Sequence, residues 1–339
     1  WDCFKNRIFI GTCRLNHPEI RTVTDARKIA LTWKIRESLR MEGFDIYGIA
    51  QAAAHHEDSS HIAEWIAAGK NGSMRFLERN LDKRGDITTL VEGARSVIVA
   101  GIRYYSNESP AGEENYFVSR YARVKDYHQV IEEKLTRVQK IIKKEVPDSV
   151  CRVFCDAGPV TEKAWAIRAG LGWRGKHSLI INKDIGSFFF LGEIVTTAEF
   201  LYDNASARDR CGGCTLCIDA CPTGAICEDR TINARRCIAY LTIEHDGNIP
   251  EEFRGKTERI IFGCDRCQEV CPWNKKAIPY SDKELIPDFP VTSLTRKEWH
   301  NLTPDEFKRI FRSSPVKRTG FEKIRRNIDF VDHRSPGGN

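Results

Sequence analysis

A run of four cysteines and a proline lies past the middle of the chain, and its spacing is that of a redox metal site. Cys211, Cys214, Cys217, Cys221 and Pro222 follow the pattern C-x2-C-x2-C-x3-C-P, which is typical of bacterial ferredoxins. In that pattern three thiolates bind corners of one 4Fe–4S cube, and the fourth binds a second cluster. The spacing therefore predicts a second set of ligands elsewhere in the chain.

The second set is found at Cys264, Cys267 and Cys271, followed by Pro272, with the same x2, x3 and proline spacing. The missing first member of this set is assigned to Cys237, displaced by an insertion. The crossed ligand pattern of bacterial ferredoxins then predicts two 4Fe–4S clusters. The first cluster would take Cys211, Cys214, Cys217 and Cys271, and the second would take Cys221, Cys237, Cys264 and Cys267.

Three other uses of cysteine fit this spacing less well. A zinc ribbon would show paired C-x2-C knuckles without the C-x3-C-P endings, and a radical-SAM cluster would need C-x3-C-x2-C, which does not occur. Disulfides would need an oxidising compartment, but we read no secretory signal and expect a reducing cytoplasm. The five other cysteines are interpreted as ordinary thiols: Cys3, Cys13, Cys151, Cys155 and Cys227.

Length and charge limit the classes of protein further. The 339 residues suffice for two domains and a small satellite, and no apolar run approaches the ~20 residues of a membrane span. The net charge is +6, and residues 296–326 carry ten Lys/Arg against four Asp/Glu. This basic segment is either a solvated helical face or a surface that binds nucleic-acid phosphates.

The segments before the cysteines alternate between helical and extended patterns, which indicates an α/β domain. Helices are predicted from residue 25 to Gly43, over 61–68, and from the stretch 121–128 to Pro147. Strands are predicted over 45–50, 95–103 and 150–155, with a β-hairpin around residues 183–186.

Two stretches of this domain have residues suited to a site. Asp156 follows a strand directly, where α/β folds place chemistry, although a helix-capping role would also explain an aspartate there. Gly170, Gly172 and Gly175 precede Lys176 and His177, so backbone can approach a ligand closely in this loop. No G-x-G-x-x-G follows a strand, which argues against a nicotinamide site.

Several stretches together resemble the epoxyqueuosine reductase family, and they occur in order over residues 28 to 328. They are YARVKDYH (121–128), FCDAGPVTEK (154–163), GLGWRGKHS (170–178), SFFFLGE (187–193), CIAYLTIE (237–244), FGCDRCQEVCPWN (262–274), KRTG (317–320) and RRN (325–327). Residues 1–24 resemble nothing in the family, and many members continue into helical repeats after the last stretch.

The resemblance implies a cobalamin, cob(II)alamin, held against the first cluster, and removal of the epoxide oxygen from epoxyqueuosine in a tRNA anticodon loop. This is the last step of queuosine synthesis. The acid of the family maps onto Asp156, and a proton donor there would need a pKa raised by desolvation. His128 is interpreted as structural. The further corrin-binding positions implied are Arg84, Arg120, Lys176, His177, Ser178, Ala239 and Asp265.

The expected organisation is an unassigned extension (1–24), an α/β (α+β) cobalamin-binding catalytic domain (25–206), a ferredoxin-like two-cluster domain (207–280) and a basic, mainly helical C-terminal segment (281–339). The expected partners are the tRNA, facing the basic segment with His245 and Arg254, and an external low-potential electron donor. We expect a monomer in the cytoplasm without membrane association.

Two rival functions remain open from the sequence. A cobalamin-dependent reductive dehalogenase pairs the same cofactors, but it would normally carry an export signal and has no use for a basic segment. A ferredoxin-type electron-transfer protein would use the α/β domain only for docking, which leaves Asp156 and the glycine loop unexplained. Bound-corrin absorbance and competition by tRNA would separate these classes.

Overall fold

The computed structural model describes residues 23–108, 112, 114–204 and 208–332. The expectations for most of the N-terminal extension, for Cys3 and Cys13, and for the boundary at 206/207 lie outside these residues. The strands are β1 (Ile46–Gln51), β2 (Ser96–Arg103), β3 (Phe117–Val118), β4 (Cys151–Phe154), β5 (Trp173–Arg174), β6 (Ile180–Ile181), β7 (Phe189–Thr196) and β8 (Ile260–Phe262).

The helices follow the predicted pattern in the first half of the chain and are short in the second half. They are α1 (Val23–Met41), α2 (His56–Ala67), α3 (Leu81–Gly85), α4 (Tyr127–Glu145), α5 (Glu162–Arg168), α6 (Leu216–Asp219), α7 (Ile238–Ile243), α8 (Arg266–Glu269), α9 (Arg296–Asn301), α10 (Pro304–Ile310) and α11 (Phe321–Asp332). Within the described ranges, no helix is long and apolar enough to cross a membrane.

The central sheet has four strands in the order β1-β2-β7-β4, and each neighbouring pair is antiparallel. Among the residues that the structure describes, the domain is therefore α+β, with an antiparallel sheet where a parallel α/β sheet was the alternative. The predicted β-hairpin around residues 183–186 is also wrong, because β6 pairs with β5 while β7 lies inside the sheet. Only a single bridge, Asn182 to Gly186, remains of it.

Both faces of the sheet are covered by helices, as its alternating buried residues require. Ile98, Ala100 and Ile102 of β2 pack towards α1 and α4. Val97 and Val99, on the other face, pack with Trp165 and Ala166 of α5. The sheet thus supports α4 on one side and α5 on the other.

Asp126 caps the N-terminus of helix α4 and thereby positions the site residues of its first turn. The Asp126 carboxylate accepts a hydrogen bond from the backbone N–H of His128, satisfying one of the free donors of the first turn. A stripe of buried side chains fixes the helix on the sheet: Val130, Ile131, Leu135, Val138 and Ile142. This places Tyr127 and His128 beside the end of β4.

The C-terminal helices share a core with the earlier parts of the chain. Trp299, Phe311 and Ile328 pack with Val118 of β3 and Phe262 of β8, and β3 and β8 form a parallel pair. Because this core is continuous, the basic segment is folded onto the cluster-binding half of the chain.

Candidate active site

Charge interactions join the eight predicted cluster ligands in two groups, which match the predicted crossed sets. Cys217 lies among Cys271, Cys211 and Cys214, and burial together with their charges raises the pKa of its thiol. Ligation requires thiolates, so the charge of bound iron would have to lower these raised pKa values.

Burial also raises the pKa of thiols in the second set. Burial raises the pKa of the Cys264 thiol to about 12, with a further contribution from Cys237 and Cys221. The pKa of the Cys267 thiol is raised by burial and by Cys264 and Cys237. Cys267 also lies within electrostatic range of Cys217 in the first set, so the two sets are neighbours.

A cavity of about 1310 Å3 opens beside the second set. Its wall contains Cys221, Cys237, Cys264, Cys267 and Asp156. None of the first set's cysteines, among the residues that the structure describes, lines it. The cavity borders the second set of cysteines, and the expectation of a corrin held against the first cluster stays a prediction.

Unpartnered donors point to a ligand in this cavity. Arg84 Nε and His177 Nε2 are buried without a hydrogen-bond partner in the described part of the chain. Both residues line the wall of the cavity. The backbone N–H of Leu179 donates to His177 Nδ1 over 3.2 Å, which leaves Nε2 as the N–H donor. Burial, followed by the charge of Lys163, lowers the pKa of His177 to about 4, so this ring is neutral.

The predicted corrin-binding residues divide into two groups. Arg84, Asp156, His177, Ser178 and Ala239 line the cavity. Arg120, Lys176 and Asp265 are predicted residues that its wall does not include.

Arg120 and Asp265 do not line the cavity, because their side chains form an ion pair with each other. The backbone N–H of Arg120 donates to Asp265 over 2.8 Å, and its guanidinium lies 3.3 Å from the same carboxylate and 2.6 Å from Glu269. Asp265 is 1% exposed and also accepts from the Ser119 hydroxyl. The pair joins the segment before α4 to α8, next to Cys264.

Asp156 sits in the left-handed region, at φ +47°, and its side chain is half exposed to the cavity. The Tyr127 hydroxyl donates to Oδ2 over 2.8 Å, and His128 Nε2 lies 3.4 Å from the same oxygen. Burial alone would raise the pKa of Asp156, but these two partners outweigh burial, so its pKa is lowered. The direction of this pKa shift is thus opposite to the raised pKa expected for a proton donor.

His128 is held between two carboxylates. Its Nδ1 lies 2.7 Å from Asp126 Oδ1, while Nε2 faces Asp156. Burial acts to lower the pKa of His128, but the two acids raise it to about 9. The structural interpretation of His128 is therefore incomplete, since its imidazolium contacts the predicted acid.

Tyr127 fixes the position of the Asp156 carboxylate. Its ring stacks on Phe190 of β7 at 4.0 Å between centroids and 4° between planes. Burial, then the charge of Asp156, raises the Tyr127 pKa, so the hydroxyl remains a donor.

Two further acids near Asp156 were not singled out from the sequence. Glu162, the first residue of α5, accepts a hydrogen bond from the Asp156 backbone N–H. Glu193 in the middle of β7 is 0% exposed. A charged residue inside the apolar run of residues 188–195 was the sequence signal for Glu193.

Part of the basic C-terminal segment is used inside the fold. Arg326 donates to the carbonyls of Leu241, His245 and Gly247. Arg254, expected to face tRNA, pairs with Glu251 and lies over the Phe330 ring. Four exposed cations have side chains that form no ion pair or hydrogen bond within the described segment: Lys297, Lys308, Arg309 and Lys317.

Family models and individual relatives both connect this chain to epoxyqueuosine reductases. The family model "Epoxyqueuosine reductase QueG, DUF1730" matches residues 84–157, and "4Fe-4S double cluster binding domain" matches 210–274. The epoxyqueuosine reductase of Cyclobacterium marinum is 41% identical over 89% of this chain and 96% of its own length. That of Cellulophaga algicola is 42% identical over 87% and 95%.

Solved structures agree in fold. A crystal structure of epoxyqueuosine reductase with an epoxyqueuosine-modified tRNA-Tyr stem loop matches with a TM-score of 0.83 and 30% identity, covering 89% of this chain and 80% of that one. The Bacillus subtilis enzyme, captured with its aspartate-bearing catalytic loop swung out of the active site, matches at 0.82 and 29%, covering 89% and 81%. On this identity and coverage, the chain belongs to the epoxyqueuosine reductase family, whose members are oxidoreductases.

Proposed function

We propose that this protein reduces epoxyqueuosine to queuosine in the anticodon loop of tRNA, the final step of queuosine biosynthesis. The observation that carries the proposal is the cavity that brings Asp156 together with Cys221, Cys237, Cys264 and Cys267. An acid and a redox-cluster ligand set on one wall suit the reductive removal of an oxygen atom. The membership of the family, argued above from identity and coverage, supports the substrate.

Cobalamin is the cofactor proposed for the cavity. At about 1310 Å3 the cavity exceeds the usual range for small ligands, ~300–1,000 Å3. The neutral His177 Nε2–H and the Arg84 Nε–H are free to donate to the amide and phosphate oxygens of such a ligand, with Ser178 and Ala239 beside them. When bound, cobalamin would supply the low-potential reducing chemistry that amino-acid side chains lack.

The two cysteine sets would hold the two 4Fe–4S clusters, which conduct single electrons. Electrons from an external low-potential donor would enter at the first set, since Cys214 is exposed and Leu216 beside it is 48% exposed. The second set lines the cavity and would deliver them there. We retain the division at 25–206, 207–280 and 281–339, which the double-cluster match at 210–274 supports.

Asp156 would protonate the oxygen that leaves. Its pKa is lowered because His128 and Tyr127 stabilise the carboxylate, so a lone protonated Asp156 is not the resting state. The proton rests instead on His128, whose pKa lies near 9. The imidazolium and the carboxylate share this proton, and Asp156, which faces the cavity, passes it on.

The tRNA would lie on the exposed part of the basic segment. Lys297, Lys308, Arg309 and Lys317 are suited to phosphate contacts. A tRNA substrate supports a location in the cytoplasm, and we propose that the chain acts there as a monomer.

Cofactor and substrate binding test this function together. The anaerobically reconstituted protein is expected to retain corrin absorbance after gel filtration, and Arg84→Ala is expected to retain less. Binding of a labelled tRNA anticodon stem loop should weaken steeply with salt. No retained corrin would favour the electron-transfer protein, and retained corrin without tRNA binding would favour the reductive dehalogenase class.

A further inference from the structure

The proposed reaction needs more protons than one acid holds at a time. Both C–O bonds of the epoxide break, a C=C bond forms and the oxygen leaves as water. This consumes two electrons, from the external donor, and two protons. Asp156 can deliver one proton, the one held at rest by His128, so the second proton must come from another group close to Asp156. The following inference rests on the proposed function.

Glu193 is a buried acid without a partner. It is 0% exposed, and within the described residues neither carboxylate oxygen has a hydrogen-bond partner. It pairs in register with Val99 of β2 and Phe154 of β4. An ionised carboxylate in such a position is strongly disfavoured, so a carboxyl there holds its proton.

The Glu193 side chain lies on the face of the sheet that α5 covers. Side chains alternate along a strand, and Leu191 and Val195 belong to the core under α5. On the opposite face, a Cβ at Gly192 would meet Ile131 and Leu135. Glu193 therefore lies beneath the helix that begins with Glu162.

Glu162 contacts Asp156 and lies within electrostatic range of Glu193. Its Oε1 accepts the Asp156 backbone N–H, which leaves Oε2 for other contacts. A small cavity of about 160 Å3 is lined by Glu162, Asp156, Tyr127 and Lys163, which is room for several waters. Water in this cavity would form a hydrogen-bonded path between the carboxyl groups of Glu162 and Asp156.

Burial favours the protonated forms of Glu162 and Glu193, and nearby charges adjust the pKa of each. Burial, then the charge of Asp156, raises the pKa of Glu162 to about 7, although the Asp156 N–H and the cations of Lys163 and His128 oppose this rise. The pKa of Glu193 is raised by burial, then by Glu162 and Asp156. The thiol of Cys155 is the other titratable group facing both acids.

We propose that Glu193 and Glu162 form a proton store that recharges Asp156 for the second protonation. The proton moves from Glu193 to Glu162, and then through water in the small cavity to the Asp156 carboxylate. Bulk water returns the proton to the store between turnovers.

Infrared spectroscopy of the cofactor-free protein tests the store without any substrate. Wild-type protein is expected to show a protonated-carboxyl absorption at pH 8 that Glu193→Gln removes. Glu162→Gln is expected to remove a second absorption, one that fades as the pH rises through about 7. Asp45→Asn, which alters a carboxylate paired with Arg103 at 2.7 Å, is the matched control and should leave both bands. Persistence of the band in Glu193→Gln overturns the proposal.

Turnover provides the second readout. Glu193→Gln, nearly isosteric and neutral, should lower the steady-state rate at least about tenfold, while the tRNA affinity stays unchanged. Glu162→Gln should remove the pH dependence of the rate near neutrality. Wild-type rates in both variants would overturn the store and leave the proposed function standing. Loss of the proposed function would show differently, as no conversion by the wild-type enzyme. Should Glu193→Gln fail to fold, carbon-13 titration of labelled glutamates in wild type decides, and an ionised Glu193 at pH 8 overturns the store.

Discussion

His128 Nε2 lies 3.4 Å from Asp156 Oδ2, and this contact determines the protonation state of the site. The imidazole is held on its other side by Asp126 at 2.7 Å. A carboxylate paired with a cation gives up its proton more readily. The acid therefore acts as one member of a pair, and its proton is held by the imidazole at rest.

Asp156→Asn should retain iron, corrin and tRNA while losing turnover. The amide keeps the shape of the side chain but cannot pass a proton, and general acid catalysis contributes ~100- to 10,000-fold. Single-turnover conversion of epoxyqueuosine tRNA, followed by nucleoside analysis, measures the loss. Turnover within about twofold of wild type would exclude Asp156 as the proton donor.

His128→Gln should flatten the pH dependence of stability above neutrality. The pKa of His128 is raised from 6.5 to about 9 in the folded protein, so its contribution is fully present below pH 6.5. That contribution is lost as the pH rises through about 9. Because the side chain is 34% exposed, we expect only about 1 kcal/mol.

Urea unfolding of both proteins at pH 6 and pH 10 measures this difference. The wild type should lose its advantage over His128→Gln at pH 10, and the exposed His56→Gln variant should behave as wild type does. An equal difference between wild type and His128→Gln at the two pH values would remove the ion pair from the account.

Cys237→Ala should destroy the second cluster and reduce the iron content by about half. Cys237 is surrounded by members of that set, and its thiol pKa is raised by burial and by Cys221. Cys227→Ala is the matched control, because Cys227 belongs to neither set. Electron paramagnetic resonance of the reduced protein distinguishes the clusters, and two intact cluster signals in Cys237→Ala would remove it from the ligand set.

Charge reversal at Lys308 and Lys317 should weaken tRNA binding and reduce its salt dependence. For every phosphate that the protein no longer neutralises, the slope of log K against log salt falls by about 1 for a duplex and somewhat less for single strands. Lys140→Glu, on the exposed side of α4, should leave binding unchanged. Affinities measured from low to moderate salt give the slope, and an unaltered slope in the double variant would place the tRNA elsewhere.

Local spacing made the cysteine sets predictable, because the ligands of each cluster follow a short repeating pattern. The strands and the long helix were also predictable from periodicity, although the strand directions were not. Hydrogen bonding between Tyr127 and Asp156 joins residues 29 positions apart, and no local pattern encodes it. The lowered pKa of Asp156 arises from such long-range packing, so it could be found only in the folded chain, whereas Glu193 was visible in the sequence as a charged residue inside an apolar run.

Conversion of the substrate tests the central claim most directly. The protein, reconstituted anaerobically with iron, sulfide and cobalamin, would receive a chemical reductant and tRNA bearing epoxyqueuosine. Mass spectrometry of the digested nucleosides should show the loss of one oxygen mass, dependent on cobalamin and absent in Asp156→Asn. Unchanged epoxyqueuosine, with clusters and corrin demonstrably bound, would contradict the assignment of this substrate.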